Sequence, residues 1–178
     1  SCMIGFCMTG SFCSFEKSIS VLKLLTAQYE VLPIMSFNAY RLDNKFGLAA
    51  DFRRRVEDLC GKPIVHTIPD AEPIGPKIKL DSLVVCPCTG NTMSKIACGI
   101  CDTPATRAIK AQLRNERPVL LALATNDGLS GCAPTIGKLL QRKNIYFVPY
   151  AEDAPFKKPR SLVCEFEKVP EALLDALN

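Results

Sequence analysis

The stretch Ser82-Leu83-Val84-Val85-Cys86-Pro87-Cys88-Thr89-Gly90-Asn91-Thr92 decides the reading of this chain. Its first five residues form a short, nearly continuous apolar run, as expected of a strand buried on both faces. The run then breaks at a proline and a glycine and is lined by threonine and asparagine, which makes a polar loop. Thr92-Met93-Ser94-Lys95-Ile96-Ala97 opens a helix that ends near Gly99. A buried strand that empties through a polar loop into a helix N-terminus is the ligand-binding corner of an open α/β sheet.

The same alternation extends in both directions. Strands are predicted over 3–9, 31–36, 63–68, 83–86, 118–124 and 145–148. Between them, Phe15, Ile19, Leu22 and Leu25 mark a helix that starts near Ser14. Leu48, Phe52, Val56 and Leu59 mark a second, stopped by Gly61. Thr103-Pro104 places a cap before a proline at the first helical position, and the helix runs to about Asn115. Pro134 opens another, and residues 169–177 close the chain as a short helix. The segment 69–79 reads as a loop, as does the polar connector after Ser36, and 150–159 reads as a surface excursion. The expected fold class is α/β: a three-layer, Rossmann-like arrangement around a six-stranded parallel sheet. Residues 1–178 are read as one domain.

Bulk properties agree with that class and exclude others. At 178 residues the chain suits one α/β domain rather than two. Its 48% hydrophobic and 22% charged content is that of a globular chain rather than a disordered one. No apolar run reaches the roughly 20 residues that span a bilayer, so no membrane is expected as a partner. No basic segment leads into an apolar one, so no secretory signal is expected, although Ser1 is not necessarily the native start. The formal charge of +4 is scattered, which argues against a nucleic-acid surface.

Ten cysteines call for an explanation. Most lie within apolar segments, where a thiol behaves as a small hydrophobe, and a reduced setting is expected. Cys86, Cys88, Cys98 and Cys101 have the spacing of a four-thiol metal site. Cys86, however, ends a buried strand and Cys98 lies within a helix, so their side chains need not converge. No metal is expected.

In a parallel sheet the ligand lies beyond the carboxyl ends of the strands. That rule gathers Thr9-Gly10-Ser11, Ser36-Phe37-Asn38, Pro87–Thr92 and Thr125-Asn126-Asp127-Gly128 at one edge. Short neutral donors and helix-start amides suit a phosphate and a polar heterocycle, and hence an organic cofactor. Alone, Ser11 and Ser36 would each read rather as helix caps and turn residues, and the loop with Thr89, Asn91 and Thr92 as a Pro-Gly turn followed by a threonine cap. His66 is a candidate general base, though a lone histidine is more often a packed or surface residue. Arg107, Lys110 and Arg114 share one helix face, as expected either for a dicarboxylate ligand or for a solvated surface.

These segments resemble the flavoprotein family of homo-oligomeric flavin-containing cysteine decarboxylases and their relatives. Pro87-Cys88-Thr89-Gly90-Asn91-Thr92 stands where that family has Pro-Ala-Ser-Ala-Asn-Thr. Lys95-Ile96-Ala97-Cys98-Gly99-Ile100-Cys101-Asp102 is similar to its Lys-x-Ala-x-Gly-x-x-Asp continuation. Asn126 falls where the decarboxylases carry the asparagine of Pro-Ala-Met-Asn. The resemblance covers residues 3–150 and implies a homo-oligomer that binds FMN. FMN is favoured over FAD also because no Gly-x-Gly-x-x-Gly loop is present. It implies that Ser11 and Ser36 hold the flavin phosphate and that Thr89, Asn91 and Thr92 reach the ring edge and ribityl chain. Gly10, Phe12, Pro87, Lys95 and Asn126 complete the implied flavin set.

Residues 9–17, 71–77 and 144–149 are similar to one branch of the family whose members work with a separate A subunit. That branch implies oxidation of a reduced pyridine dicarboxylate precursor in the cytoplasm of a sporulating bacterium, with NAD(P) reached through the partner. The sequence departs from the decarboxylases where their catalytic histidine falls, which is Glu72-Pro73 here. Thr125 replaces the methionine of Pro-Ala-Met-Asn. Decarboxylation is therefore not carried over, and His66, Glu72 and Asn126 remain the only catalytic candidates. A non-catalytic assembly subunit and a prenyltransferase-like enzyme are the alternatives on the same fold.

Overall fold

A computed structural model describes residues 2–178 of the chain. Five strands build a parallel sheet: β1 (Met3–Met8), β2 (Glu30–Met35), β3 (Ser82–Cys88), β4 (Val119–Thr125) and β5 (Ile145–Phe147). Their order in space is β2-β1-β3-β4-β5, with every neighbour parallel. β6 (Tyr150–Glu152) and β7 (Leu162–Cys164) form an antiparallel pair, and β7 joins the end of β4. The α/β class is as the sequence predicts, but the strand inventory differs at two places.

Residues 63–68 do not form a strand. Only Val65 pairs, bridging Ile34, with its amide on the Pro33 carbonyl and its own carbonyl accepting from Met35. Pro63 has no amide to donate, and Thr67 turns to cap α4 (Ile68–Ala71), so the ladder is cut on both sides. The bridge still occupies the place of a strand outside β2. The surface excursion over 150–159 is the second difference, because its first residues form β6, which pairs with β7 just beyond its end.

Alternation along the strands sorts two cores, one on each face of the sheet. Ile4, Phe6, Met8, Val84, Cys86 and Leu120 face α1 (Phe15–Thr26), α3 (Ala49–Cys60) and α8 (Val169–Leu177). Cys7, Leu83, Val85, Val119 and Leu121 face α5 (Gly90–Cys98), α6 (Pro104–Arg114) and α7 (Ala133–Leu140). The helix ends follow the expected chemistry. Gly61 and Gly99 close α3 and α5 in left-handed conformations, at φ of 65° and 72°. Thr103 and Thr106 form a reciprocal capping box at the start of α6. The polar connector after Ser36 contains α2 (Phe37–Arg41), capped by that serine. No helix among the described residues is long and apolar enough to cross a membrane.

Candidate functional site

The strand order reverses direction between β1 and β3, the position at which open α/β sheets bind ligands. Here the chain ends of the two strands are tied together. The Thr9 hydroxyl donates to the Pro87 carbonyl at 2.7 Å, and the Thr89 amide donates to that hydroxyl at 3.1 Å. The Cys86–Pro87 peptide is cis.

The four polar segments meet at this edge, around two adjoining clefts that share Gly10, Thr89 and Asn91. The inner cleft, of about 300 Å³, is lined by Ser36, Phe37, Asn38, Thr92, Lys95 and the capping-box threonines Thr103 and Thr106. The outer cleft, of about 770 Å³, is lined by Ser11, Phe12, Ser94, Thr125, Asn126 and Asp127, among others. All of the flavin set expected from the sequence thus lines one or the other cleft, except Pro87. Its side of the loop is buried behind Thr9 and Thr89.

Each hydroxyl has a distinct local role. Ser36 Oγ accepts from the Ala39 amide and caps α2, and Thr89 Oγ1 accepts from the Thr92 amide and caps α5. Thr89 also donates to Thr92 Oγ1 at 3.1 Å. Ser11 caps nothing; its hydroxyl lies 3.3 Å from that of Ser14, at the entry to α1. The Asn91 side chain is exposed between the clefts and has no hydrogen bond among the described residues. The first-turn amides of α2 and α5, at Phe37, Asn38, Gly90 and Asn91, have no carbonyl a turn behind them and point out of the helix ends. Both helix N-termini therefore offer donors and a positive dipole end to the inner cleft.

Charge in the clefts is sparse. Lys95 reaches back to Asp102 at 2.9 Å, and that hydrogen bond holds the Asp102 carboxyl below its ordinary range. Asp127 accepts from Thr125 Oγ1 at 2.7 Å. The hydroxyl of Thr125 lies 3.0 Å from where a side chain on Gly90 would begin, so the lack of one at Gly90 lets the two loops close up. Cys132, beside them, has its thiol pushed up by burial and by the Asp127 charge.

The catalytic candidates lie apart from one another. Asn126 is exposed at the rim of the outer cleft, its carbonyl accepting from Ser161 Oγ at 3.3 Å. His66 lies outside both clefts, its ring stacked on that of Tyr40 at 3.7 Å between centroids. The Arg53 guanidinium lies 4.4 Å from the same Tyr40 ring. Glu72 lines a separate concavity between 71–79 and α6. Of the four cysteines considered for a metal, Cys86 and Cys88 are buried in β3, Cys98 is exposed and Cys101 is half-buried. They do not gather into a ligand set. Burial pushes the Cys86 thiol up to about 12 and raises that of Cys88 as well.

Sequence reasoning missed three parts of the site. Thr106 is marked only as a helix residue by its neighbours, and the capping box alone turns its hydroxyl back to Thr103. Cys132 looks like any other apolar-context cysteine. Asp153, Lys158, Leu162 and Val163 wall the outer cleft from the β6–β7 hairpin, which no periodicity announces.

Known proteins share both this sequence pattern and this fold. A sequence model of the family described as Flavoprotein matches residues 1–168. The dipicolinate synthase B chain of Bacillus subtilis (strain 168) is 41% identical over 175 residues, covering 98% of this chain and 88% of that protein. The crystal structure of the corresponding dipicolinate synthase B chain from Bacillus halodurans matches with a TM-score of 0.91 at 36% identity, over 99% of this chain and 91% of that one. The FMN-dependent cysteine decarboxylase SpaF shares the fold at a TM-score of 0.75 and 21% identity, over 100% of this chain and 98% of the other. By the family match across most of its length, and by the relative that shares two residues in five with it, the chain belongs to the Flavoprotein family.

Proposed function

We propose that this chain is the FMN-binding B subunit of a dipicolinate synthase. With a separate A subunit it oxidises dihydrodipicolinate, or its hydroxylated tetrahydro precursor, to dipicolinate in the cytoplasm of the mother cell of a sporulating bacterium. The observation that carries the reading is the convergence of two helix N-termini and the Thr89–Thr92 loop on one donor-rich pair of clefts. The similarity to the two Bacillus proteins supports the choice of reaction.

The residues present fit FMN. A flavin phosphate wants convergent neutral donors, which the first turns of α2 and α5 provide, with Lys95 lining the same cleft. The larger outer cleft, bordered by Phe12 and Asn126, has room for a tricyclic ring. When bound, FMN supplies a two-electron acceptor for the hydride that leaves the dihydropyridine ring, while a proton leaves to solvent or a base. Ser36 and the α2 amides would hold the phosphate end, Thr89, Asn91 and Thr92 would orient the ring and ribityl chain, and the β6–β7 hairpin would wall the ring's side of the cleft. A site for NAD(P) on the A subunit would supply the acceptor for those electrons.

A second reading is favoured by one specific observation. Among the described residues neither His66 nor Glu72 lines the clefts, whose carboxylates are Asp127 and Asp153. In that reading the chain assembles with, and completes, an A subunit that performs the chemistry. The test is the visible spectrum of the purified chain with added FMN, followed by turnover of dihydrodipicolinate by each of the two proteins alone and by their mixture. Flavin bands together with reduction of the bound flavin by substrate support the redox role. Uptake without reduction transfers the chemistry to the A subunit. A colourless chain that takes up no FMN overturns the proposal.

A further inference from the structure

The carboxylates of the outer cleft, Asp127 and Asp153, have no part in holding FMN. They differ in how they are held. Asp153 follows β6 on the hairpin, with Lys158 at 3.9 Å. Asp127 stands just beyond the central strand β4, and among the described residues it makes no ion pair.

The Asp127 carboxylate is oriented through one oxygen. Oδ1 accepts from Thr125 Oγ1 at 2.7 Å, and the same hydroxyl shares a hydrogen bond with the Cys132 thiol. Thr125 has a single proton, which goes to Asp127, so the thiol is the donor in the second bond. The chain Cys132 to Thr125 to Asp127 thus points one way. The Asp127 carbonyl also accepts from the amides of Ser130 at 3.0 Å and Cys132 at 2.9 Å, which fixes the backbone at the entry to α7. Two glycines clear the space around the group. A side chain on Gly90 would begin 3.6 Å from Oδ1, and one on Gly131 would begin 3.1 Å from Oδ2. Oδ2 makes no hydrogen bond among the described residues, so it is free to take a proton.

We propose that Asp127 is the catalytic base of the oxidation, with Thr125 as its positioning residue. The inference rests on the redox reading of the outer cleft and supplies the proton acceptor which that reading leaves open. Aromatisation of a dihydropyridine ring removes two hydrogens. One C–H bond breaks and its hydrogen leaves with the electron pair, as hydride to the flavin. The other breaks with its pair retained as the new ring double bond, and its proton passes to Asp127 Oδ2. The ring loses two electrons and the flavin gains them. Asp127 is exposed, so the neutral carboxyl returns its proton to solvent.

The first test needs no variant. Product leaves the site from a state in which the base holds its proton, so pyridine-2,6-dicarboxylate binding to the FMN-loaded chain should draw in up to about one proton at neutral pH. Calorimetry in two buffers of different ionisation enthalpy counts it, and Asp127→Asn should abolish it. In single turnover with dihydrodipicolinate and the A subunit, Asp127→Asn should slow flavin reduction by about 100-fold or more, with flavin uptake unchanged. Thr125→Val should slow reduction by about tenfold or more, and Thr125→Ser, which keeps the hydroxyl, should restore it. Absence of proton uptake by the wild type, uptake that survives in Asp127→Asn, or reduction of that variant at the wild-type rate overturns the role of Asp127 while the flavin reading stands. Equal rates for Thr125→Val and Thr125→Ser overturn the positioning role. A wild-type chain that takes up no FMN, or whose FMN the substrate does not reduce, overturns the redox reading itself and this inference with it.

Discussion

The hydroxyl of Thr9 donates to the Pro87 carbonyl at 2.7 Å while it accepts from the Thr89 amide at 3.1 Å. One buried side chain thus fixes the end of β1 against the bend of β3, and with it the loop that carries Thr89 and Asn91. Thr9→Val keeps the shape and removes both bonds, leaving the Thr89 amide without this partner. We expect a loss of about 1–3 kcal/mol in unfolding free energy, measured by urea denaturation, and weaker FMN uptake. A loss under about 0.5 kcal/mol would show that the loop holds its place without this hydroxyl.

Ser36 has two separable roles, as cap of α2 and as neighbour of the proposed phosphate. Ser36→Ala should cost about 0.5–2 kcal/mol of stability through the lost cap. Ser36→Asp should keep the cap, since aspartate serves there as well as serine. Its charge would face the flavin phosphate, and even a partly screened repulsion exceeds the 1.4 kcal/mol that makes a tenfold loss of FMN affinity. An aspartate variant that binds FMN like the wild type would remove Ser36 from the phosphate site.

Gly128 lies against the β6–β7 hairpin, and a side chain on it would begin 2.5 Å from the Leu162 Cδ1 atom and 2.8 Å from its Cβ. Gly128→Ala should therefore destabilise the protein by about 1–3 kcal/mol through overpacking. Because the contact is largely with one side chain, the two positions should couple: Gly128→Ala should cost less in a Leu162→Ala background than in the wild type. A cost of Gly128→Ala that is unchanged in that background would place the strain in the backbone instead.

The buried thiols give the protein an alkaline limit. Burial pushes Cys60 and Cys86 up to about 12 and raises Cys7, Cys88 and Cys164 too. In the unfolded chain the same thiols ionise near about pH 8.5. Above that pH the unfolded state releases protons that the folded state keeps, so stability is full below about pH 8.5 and falls as pH rises toward 12. Each such thiol adds a slope of up to about 1.4 kcal/mol per pH unit. Urea midpoints should therefore drop steeply above about pH 9, and Cys86→Ala should flatten the decline.

Much of this fold can be read from the chain because its signals are local. Gly61, Gly99 and Thr103-Pro104 punctuate helices by conformational chemistry that needs no partner, and the structure places all of them where the sequence does. The strand expected over 63–68 failed because β-branched residues report a preference for extended backbone, not the presence of a ladder to join. Pro63 and the Thr67 cap left room for one bridge. β6 and β7 escaped notice because three residues are too few for a period, and proline and charge dominate the turn between them. The convergence of four polar loops followed from a general rule about parallel sheets. The face of α6 that carries Arg107, Lys110 and Arg114 was visible as spacing alone; only the position of Gly75 shows that a wall stands opposite it.

β4 pairs with β5 along its first half and with β7 at its end. The rim of the outer cleft therefore rests on residues near the carboxyl terminus of the described chain: the Leu129 amide bonds to the Arg160 carbonyl, and Ser161 holds Asn126. That segment follows the last parallel strand in sequence, and the chain then returns as α8 to cover one face of the sheet. Loss of the residues from 160 onward would therefore remove the rim of the outer cleft and bare that face together, so the polar edge and the core share one dependence on the end of the described chain.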